Sequence, residues 1–292
     1  MNFKAYYPAF LLACSAWGLA SCSVDDPMEQ ELYRKEVYLV GAAETMQTKE
    51  VSYAGDGSLY VSAAIGGTQF PQQDVTVTIG VAGNERIDAY NRQNVVEGEV
   101  KYQPMPADWY NFPAWAGTIK AGEVYCRIPL TLKTAKIHPD SLYMIPLKVV
   151  NTDHYTIVEK DTVLLLHPKM VNTYSGAYTF SGTTVQLKDG EPDYGTASSI
   201  NTLRNAVAID GRTIRLFQKV VLEKIAAVAQ NTYTIRVNED NSLTVKAYDQ
   251  MDVTDGGGTY TPATGAFDFW YTYTENGKEY KITATLTKAA SN

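Results

Sequence analysis

The sequence predicts an all-β protein of two modules. An N-terminal immunoglobulin-like β-sandwich is followed by a C-terminal antiparallel β domain, either a barrel or a sandwich, with at most one short helix. Three observations carry this prediction. Short runs of alternating apolar and polar residues recur along the chain between Gly, Asp, Asn and Pro, the pattern of half-buried strands separated by turns. Tyrosine dominates the aromatic residues, with 21 Tyr against 8 Phe and 4 Trp, and Tyr suits strand positions that are part buried and part wet. The 292-residue length is that of about two ordinary domains.

The chain opens on a segment that reads as an address rather than as fold. Residues 1–21 form a signal: Lys4 is its positive start, and Phe10, Leu11, Leu12, Trp17 and Leu19 lie in its apolar stretch. That stretch is short of the ~20 apolar residues a spanning helix needs. It ends in Leu19-Ala20-Ser21-Cys22, which resembles the lipobox of bacterial lipoproteins, so Cys22 is the expected site of lipid attachment. Two or more acyl chains give stable membrane anchoring. The acidic pair Asp25 and Asp26 that follows is similar to a surface-export signal of Bacteroidetes lipoproteins; a solvated acidic linker is the plainer reading. Residues 22–35 are then a tether. The expected location is the outer membrane, lipid-anchored and facing the cell exterior.

Residues 36–170 are the predicted sandwich. Val37–Val40, Leu59–Val61, Val75–Ile79, Tyr125–Leu132, Tyr143–Val150 and Thr162–Leu166 are its strand-like runs. Val75, Val77 and Ile79 alternate with Thr76 and Thr78, which is the period of a strand with one buried face. Cys126 shares the alternating face of Ile128, Leu130 and Leu132, as a small packing residue would. With Cys14 in the signal and Cys22 lipidated, it is the one cysteine left of three, so no intramolecular disulfide is expected.

Residues 171–292 are the predicted second module. Tyr174–Phe180 alternates, and Tyr233–Val237 and Leu243–Tyr248 flank the turn residues Asn238-Glu239-Asp240-Asn241. The last hairpin is the clearest. Phe267, Phe269, Tyr271 and Tyr273 share one face, Asp268, Trp270, Thr272 and Thr274 the other, and Asn276-Gly277 predicts a type I′ turn. Tyr280, Ile282, Ala284 and Leu286 return on the partner strand. Phe217, Val220, Val221, Ile225 and Val228 fall at helical spacing, so 218–229 is the place for a helical turn or two. Asp252-Val253-Thr254-Asp255-Gly256-Gly257-Gly258 reads as a flexible Gly-rich hairpin loop, with Ca²⁺ ligation by Asp252 and Asp255 as the alternative.

Several of these stretches together resemble a known family. Met105-Pro106-Ala107-Asp108-Trp109-Tyr110, Gly117–Glu123 and Tyr143-Met144-Ile145-Pro146-Leu147 are similar to a Bacteroidetes lipoprotein module, a domain of unknown function often found ahead of chitinase-type glycoside hydrolase domains. Asn172–Tyr178 resembles the junction to the following module, and Tyr260–Tyr273 resembles the C-terminal β domains of such proteins. The resemblance covers most of residues 36–288. It implies a surface lipoprotein of a polysaccharide-utilisation system that binds glycan, alongside a TonB-dependent outer-membrane importer. The family offers no catalytic residues to carry over.

The residues themselves exclude much chemistry. A net charge of −7 is opposite to what a nucleic-acid partner selects. No chitinase-type run of alternating Asp ending in Glu occurs, so no catalytic pair of facing carboxylates is expected. His138, His154 and His167 have no metal-ligand spacing; no metal and no cofactor is expected. What remains is sugar stacking on exposed aromatic rings, with polar neighbours taking the hydroxyls. Trp270, Trp109, Tyr110 and Trp115 are the candidates. Trp270 faces out if the Phe/Tyr stripe is the core, and Trp109 and Tyr110 have packing roles as their plainer reading. The alternative function is a structural adhesin or pilin-like subunit.

Overall fold

A computed structural model describes residues 30–289 apart from 44, 161 and 219–224. Cys22, Asp25 and Asp26 therefore lie outside the described residues. The first module contains β1 (Glu36–Leu39), β2 (Gln47–Ser52), β3 (Ser58–Gly66), β4 (Val75–Val81), α1 (Glu85–Asn94), β5 (Gln103–Pro104), β6 (Tyr110–Asn111), β7 (Ala116–Ile119), β8 (Tyr125–Leu132), β9 (Tyr143–Thr152), β10 (Thr156–Ile157) and β11 (Val163–Val171). One sheet has the order β10-β1-β3-β8-β6. The other runs β2-β11-β9-β4-β7, with β5 added beside β9.

The two sheets enclose one core, and alternation decides which side chains enter it. Val37, Leu39, Val61, Ile128 and Leu130 come from the first sheet, and Val75, Val77, Ile145, Leu147, Leu164 and Leu166 from the second. Cys126 is half-buried against this core, and burial pushes its thiol pKa up. The second sheet is covered on its outer side as well. Ile87 of α1 packs there against Met144 and Leu165, which is why Tyr143–Leu147 is buried at every position. The sequence reading did not anticipate α1. Only Ile87 and Asn91 of its ten residues are buried, too narrow a stripe to show a helical period. The Asn91 amide fixes its landing by donating to the Tyr102 carbonyl (2.8 Å) and accepting from the Tyr102 N–H (2.9 Å).

The second module is a closed eight-stranded barrel, which settles the choice between barrel and sandwich. Its elements are β12 (Gly176–Lys188), β13 (Glu191–Ala208), β14 (Thr213–Phe217), α2 (Ile225–Asn231), β15 (Thr232–Val237), β16 (Ser242–Ala247), β17 (Val253–Thr261), β18 (Ala266–Glu275) and β19 (Lys278–Lys288). Each strand is antiparallel to its neighbour, and β19 closes onto β12. Helix α2 overlaps the segment read as helical from Ile225 and runs on to Asn231, while 219–224 lie outside the described residues. The β18–β19 hairpin forms in the expected register, with Asn276 at φ 51° and Gly277 at φ 72°. Phe267, Phe269, Tyr271 and Tyr273 all enter the barrel core.

The Gly-rich stretch is a correction. It is not a flexible loop, because 253–261 form β17, paired along β18. The glycines permit a close approach of the two strands. A Cβ on Gly258 would sit 2.2 Å from the Asp268 carbonyl oxygen, and one on Gly256 would sit 2.8 Å from the Cβ atoms of both Tyr271 and Val245. Among the described residues no group of three or more His, Cys, Asp or Glu side chains is arranged to hold a metal.

The modules meet through polar contacts. Asn172 donates to the carbonyls of Asp210 (2.7 Å) and Thr213 (2.9 Å) at the β13–β14 turn. Asp140 of the first module is ion-paired with Arg215 on β14 and accepts from the Tyr248 hydroxyl at 2.9 Å.

Candidate functional site

Strand β18 places Trp270 on the outside of the barrel. Its inward neighbours Phe269 and Tyr271 are 3% and 0% exposed, and the alternation of a strand sends the residue between them the other way. Trp270 lies opposite Gly257 on β17 and Thr283 on β19. The surrounding face is polar. Asp268 accepts from the Thr285 hydroxyl at 2.6 Å, and the hydroxyls of Thr254 and Thr272 are bonded at 2.6 Å. The Lys281 ammonium stands 4.9 Å from the indole centroid, a cation–π contact worth roughly 0.5–1 kcal/mol at an exposed site. A ring flanked by Asp, Thr and Lys side chains is chemically suited to a sugar, whose C–H face stacks while its hydroxyls meet the polar fence. A sugar on the lysine's side has to displace a weak contact.

The other three candidates separate. Trp109 is half-buried, with its ring edge-on to Tyr143 at 5.2 Å. Tyr110 packs edge-on to Phe112 at 6.2 Å, and burial raises its phenol pKa. Both serve packing of the sandwich core. Trp115 is 37% exposed and leans on Phe112 at 4.3 Å. Trp115 and Trp270 belong to different modules and form no common platform.

The outer face of the first sheet carries aromatic residues that the sequence reading did not single out. Tyr38, Ala64 and Tyr125 stand in one row across β1, β3 and β8, so the two tyrosines flank a small floor about 10 Å wide, two strand spacings. Tyr60 is on the same face, with the Arg127 guanidinium 4.5 Å and the Lys49 ammonium 4.9 Å from its ring. Each of these tyrosines alternates with core residues, which was the available signal; their meeting depends on the strand register.

A cavity of about 260 Å³ lies where the modules join, lined in part by His138, His167, Lys169, Asn172 and Asn205. The His167 Nδ1 is 2.8 Å from the Tyr143 carbonyl, and burial pushes the imidazole pKa down. Among the described residues none of the three histidines belongs to a group of three or more His, Cys, Asp or Glu side chains placed to hold a metal.

Fold and surface define a class: two-module β proteins in which a sandwich is joined to a closed antiparallel barrel. A model of an N-terminal domain family matches residues 33–156, and a model of a C-terminal domain family matches residues 162–287. The chain thus pairs an N-terminal and a C-terminal domain of the kinds these two models describe. Solved structures share the fold. A protein of unknown function from Bacteroides ovatus is 18% identical with a TM-score of 0.64, over 86% of this chain and 94% of that one. A multidomain protein including DUF1735, also from Bacteroides ovatus, is 19% identical with a TM-score of 0.61, over 83% and 89%. An auxiliary nutrient-binding protein from Bacteroides thetaiotaomicron is 19% identical with a TM-score of 0.60, over 84% and 91%. No curated protein matches the sequence.

Proposed function

We propose that this protein is a lipid-anchored, non-catalytic glycan-binding protein of a polysaccharide-utilisation system, acting on the outer face of the outer membrane beside a TonB-dependent importer. The observation that carries this reading is the outward indole of Trp270 on a Thr- and Asp-bearing sheet face. The nutrient-binding description of a protein with the same fold supports it. The lipobox at Cys22 and the acidic pair Asp25 and Asp26 support the anchoring and the export. A glycan array with the chain lacking residues 1–22, followed by calorimetric titration of the best ligand, tests the reading. Saturable binding to a polysaccharide that weakens in Trp270→Ala supports it; an array without a single binder on a folded sample overturns it.

A further inference from the structure

We infer that the outer face of the first sandwich sheet is a second glycan subsite, one that takes an acidic polysaccharide. Its sugars stack on Tyr38 and Tyr125 while a carboxylate or sulfate meets Arg127. The inference rests on the glycan-binding reading and adds the charge of the ligand to it. Tyr38 and Tyr60 are each 37% exposed and Tyr125 is 48% exposed, so three large rings stand on one sheet face in contact with solvent. Apolar side chains scattered singly over a surface need no explanation, whereas a patch rimmed by polar groups marks a binding face.

Strand register sets the layout. Beside the row of Tyr38, Ala64 and Tyr125 comes a row that pairs Ser62 with Arg127, and then one that pairs Tyr60 with Pro129. Such rows follow one another at about 7 Å, two residues of strand rise. The floor between the first two tyrosines is low, since Ala64 is small and buried and Gly66 on the same face has no side chain. The Tyr38 Cε1 stands 3.7 Å from the place a Cβ on Gly66 would take. Two rings across a low floor about 10 Å wide match a disaccharide unit of an extended chain, in which alternate sugars turn the same C–H face toward the protein.

Charge selects among glycans. The two cations beside the Tyr60 ring, Arg127 and Lys49, are not paired with a carboxylate among the described residues. Glu36 shares the face, but one row beyond Tyr38 on the side away from Arg127. The face is therefore locally positive on a chain of net charge −7. Stacking on Tyr60 holds the Arg127 side chain in place, and its planar fork suits the paired oxygens of a carboxylate or sulfate. A neutral glycan would use the rings and leave both cations idle. A second copy of the chain, seated face to face about a two-fold axis, would bring these cations toward their own copies.

The test titrates the full chain in detergent with polygalacturonate, alginate and chondroitin sulfate, with dextran as the neutral control and poly-L-glutamate as the sugar-free one. At least one of the three acidic glycans is expected to bind more tightly than both controls and to weaken as salt rises. Tyr38→Ala with Tyr125→Ala removes two exposed rings; it should leave the melting curve in place and weaken that glycan about ten- to a hundredfold. Arg127→Gln keeps the platform and should weaken it roughly tenfold. The proposal is overturned if none of the three acidic glycans binds, if dextran or poly-L-glutamate binds as tightly, or if the folded double variant keeps full affinity. A dimer in sedimentation that the double variant dissolves would assign the face to self-association instead. Failure of the acidic glycans while neutral ones bind on the array leaves the glycan-binding reading standing; failure of every glycan removes both.

Discussion

Asp140 and Arg215 form an ion pair that crosses from the sandwich to the barrel, with side chains 14% and 6% exposed. Tyr248 completes it, donating a hydrogen bond from its hydroxyl to the second Asp140 oxygen while its ring lies 4.8 Å from the Arg215 guanidinium. A pair this buried is costly to break from one side, because the remaining charge keeps its desolvation penalty. Asp140→Ala is expected to destabilise the joined modules by ~3–5 kcal/mol. The double variant Asp140→Leu with Arg215→Met should recover most of that loss. Calorimetric melting decides: a single variant as stable as the parent would mean the pair contributes nothing to the coupling.

The outward placement of Trp270 leads to a separation of stability from binding. Trp270→Ala should change the melting temperature little and weaken glycan binding by ~1–3 kcal/mol, the size of an aromatic stacking contact. Phe269→Ala, one position away and inside the barrel, should cost ~3–5 kcal/mol of stability. Equal thermal losses in the two variants would show that the indole is a packing element.

Acid should weaken the first module through His167. Its pKa in the fold is lowered from 6.5, chiefly by burial, so the folded protein keeps the ring neutral where the unfolded chain already binds a proton. The resulting stability is fully present above pH 6.5 and is lost as the pH falls from there through the folded value. Melting curves between pH 7.5 and 5 should show the decline, and His167→Gln should flatten it. An unchanged slope in the variant would assign the acid sensitivity elsewhere.

Gly258 has φ of 155° and no room for a methyl group against the Asp268 carbonyl. Gly258→Ala should therefore loosen the β17–β18 ladder and destabilise the barrel by more than the ~1 kcal/mol of an ordinary glycine replacement. Chemical denaturation measures it; a neutral substitution would mean the strands separate without cost.

Anchoring is tested on cells. Cys22→Ala should abolish labelling by an alkyne fatty acid and block normal signal cleavage. Asp25→Ala with Asp26→Ala should leave the lipid in place and reduce protease accessibility on intact cells. Persistent labelling of the first variant, or unchanged shaving of the second, would reject the respective role.

The strands legible in the sequence are those whose alternation is strict and whose turns are chemically marked. The β18–β19 hairpin has both, down to Asn276-Gly277. Strand β17 was missed because Gly256, Gly257 and Gly258 carry no side chain to display a period. Most of the residues from Glu191 to Ser199 of β13 are exposed, since this stretch pairs with the end of β12 in a ribbon that has no buried face to mark it. Helix α1 buries too little to be seen. The aromatic candidates were legible one at a time. The grouping of Tyr38 with Tyr125 depends on pairings between residues far apart in the chain, and no local pattern encodes that register.

The closure of the barrel by β19 has a consequence for how the chain folds. The strand that seals the cylinder is the last to be synthesised, and it must bond to β12, about a hundred residues earlier, as well as to β18. Until Lys278–Lys288 are in place, β12 and β18 present bare edges able to recruit another chain. Such long-range closure is slow relative to local hairpin formation. Removal of these eleven residues should leave a protein that collapses yet aggregates, and the interval before they dock is the period in which a chaperone has the most to protect.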